Sequence, residues 1–349
     1  MYSRLSKVIL RHGSKRPEVF LYQRALSKIY SNKLKDDSIF GPNTLAFTKR
    51  FQNEKSLHVD GKVGKEVWTT LLNLAVAGKF DFRDLFPLKK RVASLICLFE
   101  TGHKKDAYGF SEDDIGDGAG ANYGVLQHNS LGSMKRLLSM AGRKDLLQIY
   151  ESTDKSKVNR QIADWMGTAE GVDAQDNYFD EVIYKRAILE LKEIGIELPI
   201  EDSFSERIIA FMCDTITQNG TLFSNRRGPF LSGGELKKYP SFKRRYPELY
   251  YGEEWEDHFE QVQFVVKGQY YNTYEDVIVI YRDELKGSWR DKNKHFIKGF
   301  VEKCSNEEKN KYWEKILLTF LAQVRSRCSA RRYWRGVEAR RMLYPNGTS

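Results

Sequence analysis

Two acidic residues, Glu100 and Asp117, lie in local sequence that suits acid–base chemistry. An apolar stripe at helical spacing precedes Glu100 and predicts that this residue ends a helix. The stripe includes Val92, Leu95 and Ile96. The negative end of the helix dipole and the apolar surroundings both disfavour an ionised carboxylate at this position. Because a general acid must hold its proton at neutral pH, Glu100 is predicted to be the acid of a hydrolytic site.

Asp117 lies in a glycine-rich loop, residues 112–127. Glycines on both sides of it let the backbone fold tightly and leave the carboxylate accessible to a bulky substrate. The glycine spacing is not that of a phosphate-binding loop. An EF-hand that starts at Asp113 is excluded, because Gly124 stands where the last ligand should be a glutamate. A carboxyl group at a helix end and another in a nearby loop can carry out glycoside hydrolysis, in which one protonates the leaving oxygen and the other activates water.

The first fifth of the chain is a basic module with helical patterning. Residues 1–73 contain 14 Lys or Arg and 6 Asp or Glu, a net charge of +8 out of +10 for the whole chain. Three apolar stripes, in residues 19–29, 45–51 and 67–72, predict three helices. Aspartate, glycine and proline at 37–44, and aspartate and glycine at 60–64, predict the two turns between them.

The order of these motifs resembles the peptidoglycan-binding module of many cell-wall hydrolases, a small three-helix domain, over about residues 7–73. The motifs are D-x-I-F-G-P-x-T, F-Q, L-x-V-D-G-x-V-G and W-x-x-L, each in its place relative to the predicted helices. The residues that carry the resemblance, and that it marks as wall-binding module positions, are Asp37, Phe40, Gly41, Phe51, Gln52, Asp60 and Trp68. A generic basic three-helix bundle is the alternative.

The rest of the chain is predicted to form a second, larger domain. Residues 76–88 are interpreted as a linker that ends at Pro87, between a module at 1–75 and a domain at 89–349. Helical patterns dominate the larger domain, although 261–266 and 277–281 are candidate short strands. We therefore predict a mainly α protein with at most a small β element, and a larger domain that folds without the module.

A second resemblance concerns the two carboxylates. Glu100, followed by Asp-Ile-Gly-Asp117-Gly-x-Gly, is similar to the active-site region of family 46 chitosanases. That similarity implies that Glu100 is the acid and Asp117 the base. The run from Gly118 to Gln127 resembles the G-x-x-Q element of goose-type lysozymes and lytic transglycosylases, which share a lysozyme-like helical fold with the chitosanases. The chitosanase pattern has an arginine and a threonine where this chain has Ala119 and Asn122.

These resemblances imply which other side chains bind substrate. The residues implied are Asn122, Tyr123, Gln127, Gln218 and Asn219. No metal and no cofactor are predicted, because the four cysteines form no C-x-x-C pair and the six histidines have no metal-ligand spacing.

The composition narrows the class of partner. A net charge of +10 and a pI of about 9.2 favour an anionic polymer such as the bacterial wall. Nucleic acid is not predicted, since the seven arginines of residues 325–341 fit the charged face of an amphipathic helix. Without an apolar run of about 18 residues, stable membrane insertion is not predicted either. A monomer that binds peptidoglycan is expected.

The combined patterns predict a peptidoglycan hydrolase that cleaves the β-1,4 glycosidic bond, as a muramidase does. A wall-binding module followed by a catalytic domain resembles the endolysins of phages that infect Gram-negative hosts. The N-terminus has no secretory h-region, so we expect the protein to stay in the host cytoplasm until its release to the cell wall or periplasm. The alternatives are a lytic transglycosylase, a chitosanase, and a non-catalytic wall-binding or virion structural protein.

Overall fold

The computed structural model describes 8–31, 34–77, 81–113, 120–129, 132–152, 159–193 and short stretches within 209–217 and 264–271. Three of the predicted site residues, Asp117, Gln218 and Asn219, lie outside these residues. The prediction of a mainly α protein is confirmed, since helices account for most of the described chain.

The elements within the described residues are helices and two short hairpins. They are α1 Pro17–Tyr30, α2 Pro42–Glu54, α3 Lys65–Val76, α4 Phe82–Leu85, α5 Leu88–Thr101, β1 Ser111–Glu112, β2 Asn122–Tyr123, α6 Ser133–Met140, α7 Lys144–Ser152, α8 Arg160–Met166, α9 Ala169–Tyr178, a π-helix Phe179–Tyr184, α10 Lys185–Glu193, β3 Phe264–Val266 and β4 Gln269–Tyr271. The described residues up to Lys185 belong to one compact unit, and those from Arg186 to a second.

Helices α1 to α3 form the three-helix module predicted from the sequence. Pro17 and Pro42 stand at the first positions of α1 and α2, where proline presets the backbone angle and no amide donor is lost. Tyr22 stacks on Phe40 and meets the edge of Trp68, and all three are fully buried. The indole Nε1 of Trp68 donates a hydrogen bond to the Val8 carbonyl at 3.0 Å, so the aromatic core also holds the start of the described chain.

The turn before α2 is held by one buried amide. Gln23 Nε2 donates to Asp37 Oδ1 at 2.9 Å and to the Ile39 carbonyl at 2.9 Å, while its Oε1 accepts from the Ser38 N–H at 3.1 Å. Asp37 Oδ1 also accepts from the Ile39 N–H. Ser38 has a positive φ of 63°, a conformation that glycine adopts most easily.

The turn before α3 repeats this arrangement. Gln52 Nε2 donates to Asp60 Oδ1 at 2.8 Å and to the Lys62 carbonyl at 2.9 Å, while its Oε1 accepts from the Gly61 N–H at 2.8 Å. Asp60 Oδ1 accepts from the Lys62 N–H. The module therefore contains two copies of one glutamine–aspartate turn, with Ser38 in one copy at the position of Gly61 in the other.

The described part of the predicted linker is packed. Leu85 and Phe86 are fully buried. Arg24 of α1 donates to the Asp84 carbonyl at 3.2 Å. The division of the chain at 76–88 stays a prediction, but these contacts argue against an exposed connector there.

The second unit includes one antiparallel hairpin, in which Phe264 pairs with Tyr271. The strand interpretation of 261–266 is confirmed for Phe264–Val266, whereas 277–281 lies outside the described residues. In the part of the chain that the structure describes, no helix has the length and apolar character needed to cross a bilayer.

Candidate active site

Glu100 lies in the last turn of α5 and is half-buried. The preceding apolar face of the helix is buried, as the sequence predicted. The end of the helix is held in three ways. Thr101 Oγ1 donates to the Cys97 carbonyl at 2.7 Å, the Gly102 N–H donates to the Leu98 carbonyl at 3.1 Å, and Gly102 takes a φ of +59° that favours glycine. The carboxyl group is therefore carried by an ordered helix end that remains partly open to solvent.

The neighbouring thiol has no catalytic character. Cys97 is fully buried, and burial raises the pKa of its thiol to about 12. Since the thiolate is the nucleophilic form, this cysteine is a packing residue beside the Glu100 turn.

A two-stranded hairpin follows α5, and Asp117 lies between its two strands in the sequence. Ser111 pairs with Tyr123, and Glu112 pairs with Asn122, in antiparallel register. Asp117 belongs to the chain between β1 and β2 and lies outside the described residues. We predict that the Glu100 and Asp117 carboxyl groups lie about 6.5 to 9.5 Å apart or somewhat farther, because an inverting hydrolase needs room for a water molecule between them.

The predicted substrate-binding residues near the hairpin have internal partners. Tyr123 is 1% exposed, and its hydroxyl accepts from the Asn159 N–H at 3.0 Å. Gln127 has a positive φ of 49°, and its side-chain amide donates to the Gly124 carbonyl at 2.9 Å. Asn122, the first residue of β2, is buried. Tyr123 therefore holds β2 to the segment at Asn159. A role of Asn122, Tyr123 and Gln127 in substrate binding stays a prediction.

A buried glutamine on α9, Gln175, fixes the turn that follows β2. Its Oε1 accepts from the Val125 N–H at 3.1 Å. Its Nε2 donates to the carbonyls of Tyr108, Met166 and Gly171 at 3.1 to 3.3 Å. Sequence patterns did not identify Gln175, because nothing local reveals that this amide connects the hairpin to two other segments.

The start of α5 is tied to the same helix. Tyr108 donates from its hydroxyl to Asp176 Oδ1 at 2.7 Å, and Lys90 of α5 forms an ion pair with the other oxygen of Asp176. Lys89 forms a second ion pair with Asp180 of the π-helix at 3.0 Å. Burial, followed by the charge of Asp176, raises the pKa of Tyr108 well above its usual value, so the phenol remains a donor. Helix α5 is thus braced at both ends.

His128, which follows β2 in the sequence, is also buried. It lies edge-on to Tyr178 with ring centroids 4.6 Å apart, and burial lowers the pKa of its imidazole to about 3. The ring is therefore neutral at physiological pH, and His128 is a core residue.

Gly124 is expected to be indispensable for the hairpin. A methyl group added at this position would lie 2.1 Å from Gln175 Oε1 and 2.4 Å from Met166 Cε, and the residue has a φ of +70°. The Gly124→Ala protein should therefore lose about 2 to 4 kcal/mol of stability, since strain and overpacking act together. Chemical denaturation measures this loss, with Gly132→Ala as the control, because that glycine also has a positive φ but open space around it. Equal losses in the two variants would contradict the packing argument.

The seven predicted wall-binding positions have a structural role in the described module. Phe40, Phe51 and Trp68 are fully buried, so they form its core. Gln52 and Asp60 hold the second turn, Asp37 holds the first, and Gly41 precedes α2. Asp37 and Asp60 are not buried, and a role of these seven positions in glycan contact stays a prediction.

The family comparison bears on this module. Residues 15–71 match the family model described as "Putative peptidoglycan binding domain". Residues 15–71 are a peptidoglycan-binding domain. The match begins just before α1 and ends within α3, so the peptidoglycan-binding domain coincides with the three-helix module, and peptidoglycan is its partner. No curated protein matches the chain.

The sequence did not indicate that this domain contacts the end of α5. Helix α1 packs against α5, and Arg16, which immediately precedes α1, donates hydrogen bonds to backbone carbonyls just beyond Glu100. A basic residue before a predicted helix has no local feature that would distinguish it from a solvated arginine. The peptidoglycan-binding domain and the helix that carries Glu100 are parts of one compact unit.

Proposed function

We propose that this protein is a peptidoglycan hydrolase that cleaves the β-1,4 glycosidic bond of the wall glycan, as a muramidase. The observation that supports it best is the half-buried Glu100 on a fixed helix end within the same compact unit as a peptidoglycan-binding domain. The second carboxylate of the proposal, Asp117, follows β1 and precedes β2 in the sequence.

In the proposed mechanism Glu100 gives its proton to the glycosidic oxygen as the bond to the sugar breaks. Asp117 takes a proton from a water molecule that attacks the anomeric carbon from the opposite face. Asn122 of β2 is proposed to help orient that water. The mechanism requires two carboxyl groups with different protonation states, and we propose that the helix end at Glu100 and the glycine-rich sequence around Asp117 provide them.

The charge of the protein favours peptidoglycan over chitosan. Chitosan is a polycation, whereas this chain carries a net charge of +10. Positive charge attracts the anionic wall and raises the rate of encounter. The proposal includes release of the enzyme from the host cytoplasm to the wall, as in the phage endolysins that the domain order resembles.

Product analysis tests the proposed reaction. Digestion of purified sacculi should release muropeptides with reducing sugar ends, and the newly formed anomer should be inverted. The Asp117→Asn protein should form this product about 100-fold more slowly, because an amide cannot accept the proton from water. The matched control is Asp113→Asn, which changes an exposed aspartate four positions before Asp117 and should leave the rate within about twofold.

The alternative functions predict different products. Ends with a 1,6-anhydro sugar, together with full activity of Asp117→Asn, would identify a lytic transglycosylase that needs only Glu100. Faster cleavage of chitosan than of sacculi would identify a chitosanase. Binding to sacculi without any released product would identify a non-catalytic wall protein.

A further inference from the structure

We propose that Arg16 is a positioning residue for Glu100, so that the peptidoglycan-binding domain forms part of the catalytic scaffold. This inference rests on the proposed function, because it assigns a role to Arg16 in the placement of the acid. It concerns a residue 84 positions before Glu100 in the chain, within a domain whose family name indicates wall binding alone.

The Arg16 side chain is 1% exposed and lies against the turn that ends α5. Its Nη1 donates to the Lys104 carbonyl at 2.6 Å, and its Nη2 donates to the Gly102 carbonyl at 3.1 Å. Arg16 Nε and Nη2 also donate to the two carboxylate oxygens of the buried Glu18, at 2.9 and 3.1 Å. The guanidinium therefore links α1 to two backbone carbonyls that lie two and four residues after Glu100.

The backbone beside Arg16 reinforces this contact. The Lys15 N–H donates to the Lys105 carbonyl at 3.0 Å, and the Ala107 N–H donates to the Lys15 carbonyl at 2.9 Å. The Lys15 ammonium group also forms an ion pair with Asp106 at 2.9 Å. The segment after Glu100 is consequently hydrogen-bonded along its length to the residues that precede α1.

A guanidinium suits this position for two physical reasons. The last carbonyls of a helix have no partner within the helix, and a cation at that end interacts favourably with the helix dipole. The planar fork of arginine satisfies two carbonyls and a carboxylate at once, which an ammonium group cannot do with the same geometry. Burial lowers the pKa of Arg16, but the charge of Glu18, the hydrogen bonds to Glu18 and other neighbouring groups together more than offset this effect, so its pKa lies above the usual value and the cation persists.

Placement of the acid affects the rate steeply. A displacement of about 1 Å at a reacting group lowers a rate by about 100-fold. Arg16 is buried and does not reach the solvent-exposed side of the helix end, so its effect on catalysis must pass through the backbone of 101–104. A positioning role therefore predicts a change in kcat without a change in KM.

The test replaces the whole buried pair, because Glu18 without Arg16 would be a buried charge with no partner. The variant is Arg16→Met with Glu18→Met, which removes both charges and keeps the apolar volume of the site. Its matched control is Arg50→Met with Glu54→Met, an exposed arginine–glutamate pair at 2.7 Å in the same domain. The full-length proteins are compared for kcat and KM on soluble glycan fragments, for binding to sacculi, and for melting temperature.

We expect a 10- to 100-fold lower kcat for the Arg16 and Glu18 variant, with KM and sacculus binding within about twofold of the wild type. The control pair should leave all three quantities unchanged. Arg16→Lys, which keeps the charge beside Glu18, should have an intermediate kcat. If the double variant does not fold, the Arg16→Lys protein decides, and a wild-type kcat for it would overturn the inference.

The outcomes separate this inference from the proposed function. A wild-type protein that cleaves glycan, together with an Arg16 and Glu18 variant of equal kcat, overturns only the positioning role. Equal losses in both double variants, or a loss of sacculus binding that matches the loss of kcat, also overturn it, because the effect would then belong to the domain as a whole. A wild-type protein that releases no product overturns both.

Discussion

Replacement of Glu100 by glutamine is expected to lower the rate of wall lysis by about 10²- to 10⁴-fold, the usual contribution of a general acid. The amide has almost the same shape as the carboxyl group but cannot transfer a proton to the leaving oxygen. Since Glu100 is half-buried at the end of α5, the isosteric change should leave the fold and sacculus binding intact. Loss of turbidity of a sacculus suspension measures the rate, and a pull-down with the same sacculi measures binding.

A second glutamate provides the control for this experiment. Glu170 is exposed at the start of α9 and lies 3.6 Å from Arg143, so Glu170→Gln removes a carboxylate that belongs only to a surface ion pair. Such pairs contribute about 0 to 1 kcal/mol, and the lytic rate should remain close to that of the wild type. A Glu100→Gln protein with more than a tenth of the wild-type rate would show that Glu100 is not the acid.

Removal of the peptidoglycan-binding domain is expected to abolish folding of the first unit as well as wall binding. A fragment of residues 81–349 would lack Arg16 and the backbone partners of 105–107, and the side of α5 that packs on α1 would face water. Each lost buried contact removes stability, and a domain has only about 5 to 15 kcal/mol in total. Circular dichroism during heating should show no cooperative transition of this unit, in contrast to the sequence-based expectation of a separable larger domain.

A nicked protein tests whether contact or covalent continuity matters. A protease site introduced at 78–80, between α3 and α4, allows the chain to be cut after folding. The cut protein should keep its two pieces together and cleave soluble fragments at the wild-type rate, because the hydrogen bonds from Lys15 and Arg16 remain. A separately produced 81–349 fragment with the same melting temperature and activity would overturn this prediction.

The features that the sequence predicted correctly depend on local patterns. The three helices of the peptidoglycan-binding domain follow from apolar residues at a spacing of about 3.6. Their ends follow from residues such as Pro42 and Gly64, whose backbone preferences act within a few positions. The helix end at Glu100 was predictable for the same reason, since Gly102 provides the positive φ that ends α5.

Tertiary structure decided which of these elements support one another. Arg16 finds its carbonyl partners 86 and 88 residues later, and Gln175 binds the Val125 amide 50 residues earlier. The sequence treats Leu85 and Phe86 as part of a connector, but both are buried because α4 contacts α1. Such contacts have no period and no short motif, because their free energy arises only when distant segments exclude water together. For this protein, the sequence alone determined the helices and placed the candidate acid at a helix end. Only the tertiary structure decided that the wall-binding domain holds that end in place.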